Sequence, residues 1–124
     1  METKANNMDL RTTKEVFDHH NQAFKAADIE AVMSDFAEET TYVTANGVAK
    51  GKDAIREIYL KHFATALVGD SSTIISLVTE GEIVLFEWTA KTATIRINDG
   101  VDTFVIRDGS IVAQTARSTP IPKT

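Results

Sequence analysis

From Thr12 onward the chain takes on a helical rhythm. Val16, His20, Ala23, Phe24 and Ala27 fall at i, i+4, i+7, i+8 and i+11, one helix face with a histidine in its middle. Thr12-Thr13-Lys14-Glu15 has the spacing of a capping box, which sets the helix start. Asp28 can accept from backbone amides two or three residues on, so it caps a second, shorter helix with Ile29, Val32, Met33 and Phe36 as its apolar stripe. Between Thr40 and Ala45 β-branched and aromatic residues cluster, and Asn46-Gly47 marks a turn, predicting a short strand pair around Tyr42 and Val48. Gly51 ends that segment. Ile55, Ile58, Tyr59, His62, Phe63 and Ala66 then predict a third amphipathic helix reaching about Leu67.

After Gly69 the pattern is β throughout. Thr73 to Thr79, Glu82 to Ala90, Thr92 to Ile97, Val101 to Arg107 and Ser110 to Arg117 are rich in Val, Ile, Thr and aromatics, with Glu80-Gly81, Asn98-Asp99-Gly100 and Asp108-Gly109 as expected hairpin turns. Within Glu82 to Ile97 the apolar phase flips, because Val84, Phe86 and Trp88 share parity with Thr94 and Arg96. One long strand with a bulge near Thr89 to Ala93 is the expected solution. Residues 1–11 are expected as a flexible tail, 12–118 as a single domain, and 119–124, with Pro120 and Pro122, as an extended tail. Helices gathered early and antiparallel strands gathered late predict an α+β fold, a curved sheet wrapped around three helices. Such a sheet can enclose a ligand pocket.

The composition fits that picture. A chain of 124 residues supports one core, and 43% hydrophobic with 25% charged residues is a globular balance. A net charge of -5 argues against binding nucleic acid or an anionic membrane, both of which need a cationic face. With no cysteine, a disulfide framework, a thiolate nucleophile and a Cys-ligated zinc are excluded. Apolar runs such as Ile83 to Phe86 fall far short of the roughly 20 residues of a membrane span, and Met1 to Arg11 lacks a signal-peptide core. A soluble cytoplasmic protein is expected.

Four segments carry a resemblance: Ala27-Asp28-Ile29-Glu30-Ala31-Val32, Phe36-Ala37-Glu38-Glu39-Thr40-Thr41, Gly51-Lys52-Asp53-Ala54-Ile55-Arg56-Glu57-Ile58-Tyr59 and Asp102-Thr103-Phe104-Val105-Ile106-Arg107-Asp108-Gly109-Ser110-Ile111. In this order the chain resembles the cone-shaped fold of the nuclear transport factor 2-like superfamily, in its SnoaL-like and ketosteroid isomerase-like branch. That superfamily holds isomerases, cyclases, hydrolases, dehydratases and pure binders, so the resemblance implies fold more than function. Ketosteroid isomerases use a carboxylate base with a tyrosine and a protonated aspartic acid as oxyanion hole. Carried over by position, the tyrosine falls on His20, the base on Thr44 and the aspartic acid on Asp102. One role of three is retained. Limonene-epoxide hydrolase-like members need an Asp-Arg-Asp set; Arg96 offers an arginine, but Asn98 stands where an aspartate is required. SnoaL-like cyclases use an aspartate as acid/base, a role open to Asp102.

His20 on the first helix and Asp102, in phase with Phe104 and Ile106, both point inward, which suggests a His-Asp dyad as catalytic pair or polar anchor. A satisfied, inert buried pair would give the same pattern. Phe24, Tyr42, Thr44, Tyr59, Phe63, Trp88, Phe104 and Gln114 are the expected pocket lining, although aromatics at these spacings also build ordinary cores. His19 and His20 point roughly 100° apart on a helix and cannot share a metal, so no metal and no other cofactor is expected. Val101, Thr103 and Val105 with Ile111, Ala113 and Thr115 form a second apolar face, predicting a homodimer through the outer sheet face. The expected ligand is a small apolar or aromatic molecule. Three functions stay open: a small-molecule-binding domain, a cofactor-free acid/base enzyme using His20 and Asp102, and a non-catalytic interaction module.

Overall fold

The computed structural model describes residues 10–65 and 71–123. Its first helix, α1 (Thr13–Lys25), starts at the capping box read from the sequence: Thr12 Oγ1 accepts from the Glu15 N–H at 3.1 Å and Glu15 Oε1 from the Thr12 N–H at 2.8 Å. It ends in a Schellman motif, with Asp28 N–H bonded to Ala23 O and Ala27 N–H to Phe24 O. That closure forces Ala27 to a φ of 55°, a region where a Cβ is unfavourable. Ala27→Gly is therefore expected to stabilise the protein by about 0.5–1 kcal/mol, the relieved strain less the glycine's extra unfolded-state freedom. A lower urea midpoint in the variant would show that the alanine methyl is packed rather than strained. Asp28 then caps α2 (Ile29–Ser34) as expected, accepting from Ala31 N–H.

The remaining elements are β1 (Phe36–Thr44), β2 (Gly47–Lys50), α3 (Lys52–Ala64), β3 (Ser72–Glu80), β4 (Ile83–Lys91), β5 (Ile95–Arg107), β6 (Ser110–Arg117) and β7 (Pro120–Pro122). They form one mixed sheet in the order β2-β1-β6-β5-β4-β3, with β7 beside the first part of β5. All pairs are antiparallel except β1 with β6, which are parallel. Register shifts interrupt four of the pairings, and bulges of this kind bend a sheet. Against its inner face the three helices bury one core, with Val16, Phe17, Met33, Ile55, Val84, Phe104 and Ile111 among its members. The fold is the expected α+β arrangement. The last residues expected in the third helix, 66 and 67, lie outside the described ones, as does most of the N-terminal tail.

Three expectations are corrected. Glu82 to Ile97 is not one bulged strand but two strands joined by a tight turn at Thr92 to Thr94, where Thr92 Oγ1 accepts from the N–H groups of Thr94 and Ile95. Asn98-Asp99-Gly100 is not a hairpin turn: β5 runs through it, and the extra residue is bulged opposite Thr89. These two features together produce the phase flip. Ile111 is not on the outer face but fully buried, because the β5–β6 register shifts between Val105 and Ile106 and leaves Val112 unpaired. At the chain ends, Arg11 is bonded to Asp35 and to the Gly109 carbonyl, and the Pro120–Pro122 segment, extended as expected, pairs with β5.

Candidate functional site: a buried chain of polar side chains

Five side chains from four of the inner-facing elements and the adjoining strand β4 meet under the helices. His20 follows Val16 by one helical turn on the buried face of α1, and Tyr59 follows Ile55 likewise on α3. Beyond its bulge, β5 turns Asp102, Phe104 and Ile106 inward; β4 contributes Trp88 and β6 contributes Gln114. Trp88 Nε1 donates to Asp102 Oδ1 at 2.8 Å, and Gln114 Nε2 donates to Asp102 Oδ2 at 3.0 Å. Tyr59 Oη donates to Gln114 Oε1 at 2.9 Å, and lies 3.0 Å from His20 Nε2. The sequence read His20 and Asp102 as a direct dyad. They do not touch; Gln114 and Tyr59 stand between them.

The direction of these bonds is fixed from the Asp102 end. An ionised carboxylate only accepts, so Gln114 must present its amide N–H and keep its carbonyl for Tyr59. Tyr59 has a single proton and gives it to that carbonyl. His20 must therefore carry hydrogen on Nε2, leaving Nδ1 buried and without a hydrogen-bond partner, 3.7 Å from Asp35 Oδ2. The His20 ring is also held edge-on by Phe104, Phe36 and Tyr59, with centroids 5.0, 5.5 and 5.5 Å away.

Two buried aspartates bracket this chain and differ in surroundings. Asp35, 0% exposed, takes Arg11 Nη1 at 2.8 Å and His19 Nδ1 at 2.8 Å, with His20 just beyond. Burial alone would raise its carboxyl, but the nearby His20 ring and the hydrogen bonds from His19 and Arg11 outweigh this and hold it below its ordinary value. Asp102, 7% exposed, receives only neutral donors among the described residues, so burial dominates and pushes its carboxyl up to about 6 against the pull of Trp88 and Gln114. Tyr59 and Tyr42 are raised well above their usual range, first by burial. Neither Asp35 nor Arg11 was a candidate at the sequence level, since Asp35 sits alone in a helix-to-strand junction between Ser34 and Phe36.

A family model of the SnoaL-like domain matches residues 17–114, which span all five of these side chains. The chain belongs to the SnoaL-like domain family. Solved structures carry the same fold at low identity. A candidate ketosteroid isomerase from Kribbella flavida is 15% identical, with a TM-score of 0.73, over 86% of this chain and 77% of that one. SalBIII, an epoxide hydrolase/cyclase-like enzyme described in pyran ring formation in the polyether salinomycin, is 18% identical with a TM-score of 0.75, over 96% and 95%. A nuclear transport factor 2-like protein of unknown function from Cytophaga hutchinsonii is 14% identical with a TM-score of 0.73, over 87% and 90%. No curated protein matches the chain.

Around Asp102 the SnoaL-like domain is aromatic. Tyr42 is buried and faces Tyr59 at 6.4 Å; Phe24 and Phe63, half-buried, pack on Tyr59 at 6.1 and 6.5 Å and on each other at 5.7 Å. Phe104 is a core residue, stacked on Phe86 behind His20. Trp88 lies flat on Gly100, its cross-strand partner, so closely that a Cβ at Gly100 would overlap the indole carbons. The glycine thus lets the ring reach Asp102. Thr44 is not brought to this cluster: it ends β1, its hydroxyl accepts from Asn46 N–H, and it lines a concavity of about 360 Å³ with Val43, Val101, Thr103 and Thr115. His62 is half-buried beside Tyr59, and burial lowers its pKa. No described helix is long and apolar enough to cross a membrane.

Proposed function

We propose that this SnoaL-like domain binds a small, largely apolar molecule against the inner face of its sheet, with Asp102 as the polar anchor and the Trp88, Tyr42, Tyr59, Phe24 and Phe63 rings as its walls. The observation that carries the reading is Asp102 itself, a buried carboxylate held by Trp88 and Gln114 in an aromatic surround. His20 serves from one remove, fixing Tyr59 and so Gln114. A carboxyl titrating near 6 also suits a general acid/base at neutral pH, which favours cofactor-free proton transfer as the second reading. Ketosteroid isomerase and cyclase-like relatives make that chemistry available to the fold, not to this chain.

A thermal-shift screen of small hydrophobic ketones, amines and aromatics tests it. Ligand at about 100 times its dissociation constant adds roughly 2.7 kcal/mol, a shift of several degrees. The response should weaken in Asp102→Asn, which keeps one acceptor oxygen but loses the charge, and disappear in Gly100→Ala, where the indole is displaced. A flat screen would favour the non-catalytic interaction module instead.

The same reading makes the protein a homodimer. Paired positions Val78, Leu85, Thr103, Thr115, Val43 and Val48 run as one row across the outer sheet face, with Ile83, Val105 and Ala113 beside it. Five of these are large apolar side chains left exposed, and a back-to-back copy would cover them. Sedimentation equilibrium should read a dimer, and Leu85→Lys a folded monomer; a monomeric parent protein overturns it. The reading places the protein in the cytoplasm, which cell fractionation checks.

A further inference from the structure

We propose that the molecule held at Asp102 carries a protonated amine, seated between the Asp102 carboxylate and the faces of Trp88, Tyr42 and Tyr59. The inference rests on the reading of Asp102 as ligand anchor and adds the charge of the ligand.

Asp35 has the Arg11 guanidinium at 2.8 Å, a full positive charge beside a desolvated anion, and a further hydrogen bond to the His19 ring. Asp102 is nearly as buried, yet among the described residues its hydrogen-bond partners are the indole of Trp88 and the amide of Gln114, both neutral. The ionisable groups facing it are Tyr42 of β1 and Tyr59 of α3, which burial keeps neutral; β4 and β6 present no charge to it. His20 of α1 lies beyond Tyr59 and is turned toward Asp35, and His62 of α3 packs against the Tyr59 ring, where burial lowers its pKa. Among the described residues the negative charge at Asp102 therefore lacks a counter-charge.

Ligand chemistries divide on this point. A carboxylate or phosphate would be repelled, and a ketone offers no hydrogen to an ionised acid. A hydroxyl can donate but leaves the charge in place. An ammonium donates to the spare lone pairs on both Asp102 oxygens, each of which has so far accepted one bond, and neutralises the charge. Its flanks then meet aromatic faces, the geometry in which cations are held by ring quadrupoles, tryptophan best of all. The indole edge is already committed to Asp102 while one of its faces is spent on Gly100, so the opposite face is the one available.

A matched series tests the charge independently of the pocket: 1-naphthylmethylamine, 1-naphthylmethanol and 1-naphthoic acid, titrated calorimetrically into the full chain. At about pH 7.5 the amine is expected to bind at least about tenfold more tightly than the alcohol, with the acid weakest. The amine's advantage should shrink at about pH 5, where Asp102 takes up a proton, and vanish in Asp102→Asn while the alcohol still binds. Amine and alcohol binding alike, or an amine preference that survives Asp102→Asn, overturns the inference and leaves the pocket standing. If none of the three binds, the anchor reading falls and this one with it.

Discussion

Asp35→Ala is expected to cost about 1.5–3 kcal/mol, because it removes the buried acceptor shared by Arg11 and His19 and empties a fully enclosed site beside His20. The carboxylate is fully enclosed and receives Arg11 and His19 at 2.8 Å each, with the unpartnered Nδ1 of His20 facing it at 3.7 Å. Removing it leaves the buried His20 beside an empty site and frees Arg11 from one of its two anchors, the other being the Gly109 carbonyl. A single domain has only about 5–15 kcal/mol in hand, so the loss is a large fraction of the whole. Urea unfolding near pH 7 reads it directly. A loss below about 1 kcal/mol would mean that the donors are satisfied by water and that Asp35 is no hub.

The second large effect is one of pH, and its sign is opposite at the two aspartates. For Asp35 the folded pKa lies below the unfolded one, so its stabilisation is present above the unfolded value and is lost as pH falls through the folded value. For Asp102 the folded pKa lies above, at about 6 against 3.8, so the folded state binds the extra proton between these values and stability falls as pH rises through them. The full span corresponds to about 3 kcal/mol. Asp102→Asn should therefore unfold at a higher urea concentration than the parent at pH near 8 and differ little at pH near 4. A variant offset equally at both pH values would show that Asp102 titrates normally and that the effect is packing.

The helices were legible because their signals are local. Thr12 with Glu15, and Asp28 with its following amides, satisfy backbone donors within one turn, so the residue types alone place the helix starts. Strand β5 was not legible, for two reasons. Asn98-Asp99-Gly100 has the composition of a hairpin turn, yet here it serves a bulge whose Asp99 carboxylate accepts from the N–H and hydroxyl of Thr119 across the sheet. The real turn at Thr92 to Thr94 uses a threonine hydroxyl where a glycine or asparagine would have advertised it. Of the candidate site, His20, Asp102, Tyr59, Trp88 and Gln114 were visible as inward-facing positions. Their order in the hydrogen-bonded chain was not, since Gln114 standing between Asp102 and Tyr59 depends on a parallel and an antiparallel strand meeting at β6.

That parallel seam has a consequence for how the protein comes to exist. β1 is among the first strands to leave the ribosome, but its second neighbour, β6, is among the last, and the two are joined by nothing shorter than most of the chain. Until β6 arrives, the β1–β2 hairpin is cut off from β5, β4 and β3 and offers an open edge, so the sheet stands in two halves. Non-local strand pairing of this kind slows folding, because a long loop must close before its contacts reward it. A nascent chain stalled before Ser110 should thus stay protease-sensitive in β1 and β2, and one released after Arg117 should become resistant there.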